Sequence, residues 1–153
     1  MIIPKYIYEA AIAHVKREPS RESCGLILSD REGKLTRLII CNNLQDERHQ
    51  EDPLLYPRDS KTAYFIDPKQ LLEIQKEMRE TDEKIAIIYH SHINAEAYFS
   101  EEDYRQAVFK EEVLYPNAKY LIFSVIEGEV AESALYSWNH ENRQFEQELN
   151  RVF

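Results

Sequence analysis

Two cysteines in 153 residues, Cys24 and Cys41, are too few for a disulfide scaffold. Apolar runs long enough to span a bilayer are also missing. The longest, Ile85 to Tyr89 and Leu121 to Ile126, suit buried strands instead. The start of the chain, Met1-Ile2-Ile3-Pro4-Lys5, leads straight into mixed polar and apolar residues without the pattern of a signal peptide. A cytoplasmic protein, away from the membrane, is therefore expected. Clustered Lys and Arg are absent as well: 28 acidic residues face 19 basic ones, for a net charge of −9. Nucleic acid, which demands a basic surface, is not an expected partner. The acidity reads as general solubility rather than as attraction for basic substrates.

What is present fits one soluble α/β domain, long enough to bury a core without staples. Apolar residues make up 43% and charged residues 31%. Pro4 to about Arg17 reads as a helix with Tyr8, Ile12 and Val15 on one face, closed by Pro19. Cys24 to Leu28 and Leu35 to Cys41 read as a hairpin across Asp30-Arg31-Glu32-Gly33-Lys34. If it turns at Glu32-Gly33, facing residues sum to 65, which places Cys24 opposite Cys41. Two reduced, buried thiols are the expected state there, with a bridge as the alternative.

Asn42 to Thr62 is charged, carries Pro53 and Pro57, and reads as a long loop. Tyr64 to Ile66 suggests a short strand. Asp67-Pro68 then caps a helix running to about Glu80 with Leu71, Leu72, Gln75 and Met78. Lys84 to Tyr89 is a buried strand, and Ser100-Glu101-Glu102-Asp103 has the form of a capping box opening a further helix with Ala107 and Val108. Tyr120 to Val125 and Ala131 to Trp138 are two more strands around Glu127-Gly128, and residues 139–153 read as a loosely held polar tail. Elements of this kind imply an α/β (by stricter usage α+β) three-layer sandwich around one mixed sheet.

Chemistry is concentrated at a few positions. His90, Ser91 and His92 close the apolar strand; Ser100 follows after seven residues and Asp103 after two more. Far upstream, Glu22 lies in Pro19-Ser20-Arg21-Glu22-Ser23-Cys24-Gly25. Taken singly these carry little: a lone H-x-H is usually incidental, and Asp103 by itself is an ordinary first-turn carboxylate. Together they resemble the JAMM (MPN+) zinc metalloproteases, whose pattern is a glutamate, then H-S-H, seven residues, S, two residues, D. The similarity covers residues 1–138 as a single JAMM/MPN domain and is nearest to small prokaryotic members. Thr62-Ala63-Tyr64-Phe65-Ile66-Asp67-Pro68, Ala97-Tyr98-Phe99 and Tyr115-Pro116-Asn117-Ala118-Lys119-Tyr120 support it outside the metal site.

The resemblance implies an MPN/JAB fold, a mixed sheet sandwiched by helices in a cytidine-deaminase-like three-layer architecture. It also implies a Zn2+ held by His90, His92 and Asp103. Residues two apart on a strand point the same way, so both imidazoles can reach one point, and Asp103 sits at the favourable end of its helix. Two imidazoles and one carboxylate leave a fourth tetrahedral position free, as in catalytic rather than structural zinc sites. Glu22 is implied as general base and acid. Ser100 is implied as an oxyanion donor worth about 3 kcal/mol, although helix capping alone also explains it. His14, His49 and His140 read as surface histidines, with His49 a weaker candidate for substrate contact.

The implied activity is hydrolysis of a peptide or isopeptide bond at the C-terminus of a small ubiquitin-like (β-grasp) or sulfur-carrier protein. A non-catalytic MPN scaffold and a zinc hydrolase of a non-protein amide remain as alternatives. A homodimer is one of the oligomeric states open to the chain. Asn42 to Thr62, with Leu54, Leu55 and Tyr56 amid charge, either folds over an extended substrate tail or is a surface excursion. One departure stands out: the family usually has proline after the second histidine, and this chain has Ile93. Proline stiffens a backbone and ligates nothing, so the metal positions are intact while the rigidity of that loop is in question.

Overall fold

The computed structural model describes residues 1–149 and 151–152. A two-residue strand, β1 (Ile2–Ile3), leads into helix α1 (Lys5–Arg17). The Pro4 carbonyl accepts the amides of Ile7 and Tyr8, so proline opens the helix without the loss of a donor. The buried stripe of α1 is Ile7, Ala11 and Val15, with Tyr8 and Ile12 flanking it, a face rotated slightly from the expected one. The hairpin of β2 (Cys24–Ser29) and β3 (Leu35–Cys41) follows. Its partners sum to 65 from Cys24↔Cys41 to Leu28↔Arg37, after which a bulge sets Ser29 opposite Leu35. Asp30 Oδ1 accepts the amides of Glu32 and Lys34, and Gly33 takes φ 88°, the left-handed conformation that the turn requires. Both cysteines are free and buried.

The remaining elements are α2 (Gln45–Glu51), α3 (Pro68–Thr81), β4 (Lys84–Ile93), α4 (Glu101–Ala107), a small hairpin of β5 (Val108–Phe109) and β6 (Glu112–Val113), β7 (Lys119–Ile126), β8 (Glu129–Asn139), β9 (Gln144–Glu148) and β10 (Arg151–Val152). Six strands form one sheet in the order β3-β2-β4-β7-β8-β9. Only β4 and β7 run parallel within it, so the sheet is mixed. β10 pairs in parallel with β1.

The two-residue period of β4 separates the layers. Ile87 and Tyr89 face α1 in a core with Ile27, Leu121, Phe123 and Leu135. Ile88, one residue on, packs with Ile74 of α3 and Ala107 of α4 on the opposite side. Helices therefore cover both faces, and His90 and His92 share the α4 side with Ile88. On α3 the inward stripe is Leu71, Ile74 and Met78, while Leu72 is exposed. Gly25 faces Tyr89 across the β2–β4 ladder, where a Cβ would overlap the tyrosine ring. Among the described residues no helix is long and apolar enough to cross a membrane.

Three stretches differ from expectation. The segment 42–62 is not a structureless loop: it contains α2, and its return is tied down where Gln45 Nε2 donates to the Arg58 carbonyl and Ser60 donates to Asp46. Periodicity could not reveal α2, which buries only Gln45. Residues 64–66 make a single bridge, Asn43↔Ile66, rather than a strand. The polar stretch after Asn139 returns as β9 along β8, and Phe145 stacks on Phe99 with ring centroids 4.2 Å apart. One aromatic residue amid charges anchors it, a signal too sparse for a strand pattern.

Candidate metal and catalytic site

Strand β4 lies between β2 and β7, so its end is braced from both sides: His90 is opposite Cys24 and Ile122, and His92 is opposite Ser124. His90 is fully buried and His92 nearly so. The Glu96 carbonyl lies 2.8 Å from His92 Nδ1. A carbonyl only accepts, so Nδ1 carries the hydrogen and Nε2 turns a lone pair inward. There it meets His90 Nε2 at 3.3 Å and Asp103 Oδ2 at 3.1 Å, while His90 Nε2 lies 2.9 Å from Asp103 Oδ1. Tyr64 stacks on His90 and Tyr98 sets its ring edgewise to His92.

Asp103 is aimed by the start of α4. Ser100 Oγ accepts the Asp103 amide at 3.0 Å, and Asp103 Oδ2 accepts the Ser100 amide at 3.0 Å, a reciprocal capping box. Burial pushes the Asp103 carboxyl up, but the two histidines, His90 foremost, outweigh it and hold it well below the usual carboxylate range. Ser100 Oγ serves the cap only as an acceptor, which leaves its O–H free at the site cavity.

The three side chains fit a metal ion. Ligand atoms of His90, His92 and Asp103 all lie within 4.8 Å of one another. Tetrahedral zinc with bonds of about 2.0–2.1 Å sets neighbouring ligand atoms about 3.3 Å apart, close to the 3.3, 3.1 and 2.9 Å found here. Two inward imidazole nitrogens and a carboxylate oxygen gathered in one buried pocket suit a shared cation.

Glu22 reaches the same place from a segment outside any helix or strand. Its amide donates to the Ser60 carbonyl at 2.7 Å, and its carbonyl accepts from Asn43 Nδ2 at 2.9 Å. The next residue, Ser23, exchanges two hydrogen bonds with Ser91. Glu22 is 4% exposed, and its Oε1 has no hydrogen-bond partner. Burial raises its pKa well above the ordinary value, and the charges of Asp103 and Glu102 push the same way against Arg58. Glu22, His92 and Ser100 line one cavity of about 70 Å³. The five residues to which the resemblance gives a role, Glu22, His90, His92, Ser100 and Asp103, are thus brought together.

Other residues of the site escaped sequence reasoning. Asn43 is a buried hub: Nδ2 donates to the Glu22 and Ala63 carbonyls, while Oδ1 accepts the amides of Gln45 and Phe65. Nothing but its place after an apolar strand marks it. Arg58 lines the cavity from within the charged stretch that read as a loop. His14, expected at the surface, is half-buried, and its Nδ1 is hydrogen-bonded to Tyr89 Oη at 2.7 Å. His49 bonds the Tyr56 carbonyl, which fastens its own segment.

Ile93 ends β4 as a paired strand residue opposite Val125. The loop beyond it is held by other means than proline. The Asn94 amide donates to Val125, Ser124 Oγ donates to Ala95, and Tyr136 Oη donates to Ala97.

Residues 4–140 match the family described as prokaryotic homologs of the JAB domain. The chain is 29% identical over 124 residues to proteins named CysO-cysteine peptidase from Mycobacterium tuberculosis and Mycobacterium bovis, which covers 81% of this chain and 73% of each of those. A protein of Desulfitobacterium hafniense, known from a solution structure, superimposes with a TM-score of 0.73 at 24% identity, over 100% of this chain and 93% of that one. A JAB1/MPN domain protein from Archaeoglobus fulgidus, a crystal structure, superimposes with a TM-score of 0.56 at 14% identity, over 99% and 98%. These two likenesses bear on the fold alone.

Proposed function

Because the chain belongs to the prokaryotic homologs of the JAB domain, we propose that it is a zinc-dependent peptidase that hydrolyses an amide bond at the C-terminus of a small sulfur-carrier or ubiquitin-like protein. The observation that carries this reading is the meeting of a three-residue metal-binding cluster with a buried, unpartnered carboxyl at one cavity. The peptidases named among its relatives supply the substrate class.

Zinc held by His90, His92 and Asp103 would supply Lewis acidity for the carbonyl and the attacking water. The chain's own groups do the rest. Glu22 Oε1, free of partners, accepts a proton from the attacking water and passes it to the leaving nitrogen. Its buried place at the same cavity as the metal cluster suits a group that must carry that proton between the two steps. The Ser100 O–H donates to the developing oxyanion, while its lone pair keeps Asp103 in place. The Glu96 carbonyl locks the His92 tautomer that points Nε2 inward. Sheet pairing on both sides of β4 keeps the histidines rigid.

The test is intact-mass spectrometry of zinc-loaded protein mixed with β-grasp carriers extended past their C-terminal Gly-Gly by one residue or by an isopeptide-linked lysine. Loss of mass at one bond, absent in Glu22→Gln, is the expected result. No cleavage of any carrier by protein holding one zinc per chain would shift the assignment to a non-catalytic scaffold or to a non-protein amide.

A further inference from the structure

The lining of the cavity that holds Glu22 and His92 also carries two cations, Arg58 and Lys61, beside Thr62. They share that lining with the carboxyl of Glu22, in a chain of net charge −9. Arg58 is partly engaged: its Nε lies 3.8 Å from Glu102 Oε2, an oxygen that Arg105 also approaches at 3.1 Å. Lys61 has no carboxylate within 4.0 Å among the described residues.

The backbone that carries both cations is fixed relative to Glu22. The Ser60 carbonyl accepts the Glu22 amide, Asp46 accepts the Ser60 amide and hydroxyl, and Gln45 grips the Arg58 carbonyl. Lys61 is further held by its own amide, which donates to Asp59 Oδ1. The Lys61 backbone is therefore anchored beside the acid/base, and its exposed side chain reaches the cavity lining from that fixed point.

The cavity is about 70 Å³, roughly the room of two or three water molecules. An open groove adjoins it and shares Lys61, Thr62 and Ile93 as common walls. Lys61 thus stands where the cavity ends. When a single residue leaves from a protein C-terminus, its α-carboxylate carbon is only two bonds, about 2.5 Å, from the scissile nitrogen. The negative charge must then sit inside this same small space. An isopeptide-linked lysine offers no carboxylate there.

We propose that Lys61, with Arg58 beside it, reads the free α-carboxylate of a single C-terminal residue, so that the enzyme removes one terminal amino acid in preference to cleaving isopeptide bonds. This rests on the peptidase reading above. Lys61 is a specificity residue: it binds the leaving residue's carboxylate and takes no part in proton transfer.

The experiment uses zinc-loaded protein and a β-grasp carrier extended by one cysteine after Gly-Gly, prepared with a free C-terminus and as the C-terminal amide. The free acid should be cleaved with about three- to tenfold higher kcat/KM, carried mainly by KM, as for a solvent-accessible charge pair. Lys61→Met should erase the preference and Lys61→Arg should retain most of it. A second readout avoids both turnover and the metal: the metal-free protein should bind a Gly-Gly-Cys peptide acid more tightly than its amide, and Lys61→Met should not. Equal cleavage of acid and amide by the wild type, or an unchanged preference in Lys61→Met, overturns the carboxylate reading and leaves the peptidase standing. Cleavage of neither form of any carrier in the panel above overturns both.

Discussion

Ser91 and Ser23 exchange hydrogen bonds: the Ser23 amide donates to Ser91 Oγ at 2.9 Å, and the Ser91 amide donates to the Ser23 carbonyl at 3.0 Å. The middle residue of the H-S-H triplet therefore faces away from the metal cluster and fastens the histidine strand to the segment bearing Glu22. Ser91→Ala leaves a buried amide without an acceptor, which should destabilise the fold by about 1–3 kcal/mol. Zinc content should be unchanged while kcat falls, because Glu22 loses its anchor and the ligands do not. Urea denaturation with metal analysis and turnover checks this; unaltered kcat would remove Ser91 from the positioning of Glu22.

Asp103 has two duties that one substitution separates. Asn at this position keeps an oxygen to accept the Ser100 amide, so the start of α4 should survive, as read by circular dichroism. The negative charge shared by the two imidazoles is lost. Zinc affinity should fall by more than the roughly 10- to 100-fold that outer-shell partners govern. Chelation of wild-type protein should lower its Tm by mass action, and Asp103→Asn should show little further loss. Full zinc occupancy in Asp103→Asn would exclude this carboxylate as a ligand.

Glu22 gives a pH dependence of definite sign. Its pKa in the folded, metal-free protein lies well above the ordinary 4.5. The folded form then holds a proton that the unfolded chain has released, so stability falls as pH rises from about 4.5 through the folded value. Glu22→Gln removes that loss. At pH 7 the metal-free variant should be more stable than the wild type, while the two should converge near pH 4. Parallel stability curves across this range would count against an unpaired buried carboxyl. With zinc bound the same variant should be folded, metal-loaded and inactive.

Asn43→Ala tests the hub. It removes two donated and two accepted hydrogen bonds around Glu22, Ala63, Gln45 and Phe65, three of them buried and the last partly so. A cost of about 3 kcal/mol or more is expected, since several buried backbone groups lose partners at once. Hydrogen exchange should rise first at residues 45 and 65, whose amides lose their acceptor, and leave the β2–β4 ladder protected; uniform exchange throughout would mean that Asn43 supports the whole fold and not the site alone.

Local rules made much of the molecule legible. The β2–β3 register followed from counting across Gly33, the start of α3 from Asp67-Pro68, and the start of α4 from its capping box. Each depends on residues within a few positions of one another, where backbone geometry and short-range hydrogen bonds decide the outcome. The stretch after Asn139 was illegible because β9 exists only by pairing with β8 and by packing Phe145 on Phe99. For the same reason α2 was invisible: a short, charged helix secured by Gln45 and Asp46 has no apolar period to show.

The candidate site divides in the same way. His90, His92, Ser100 and Asp103 lie within fourteen residues of chain, and strand and helix periodicity aim them, so the amino-acid sequence by itself determined their grouping. Glu22 belongs to that group only because β2 and β4 pair and bring Ser23 against Ser91. Asn43, Arg58 and Lys61 enter through hydrogen bonds to the Glu22 backbone and to the segment that returns from α2. Their placement was decided by tertiary structure alone, because buried polar groups far apart in the chain find partners only once the sheet has assembled.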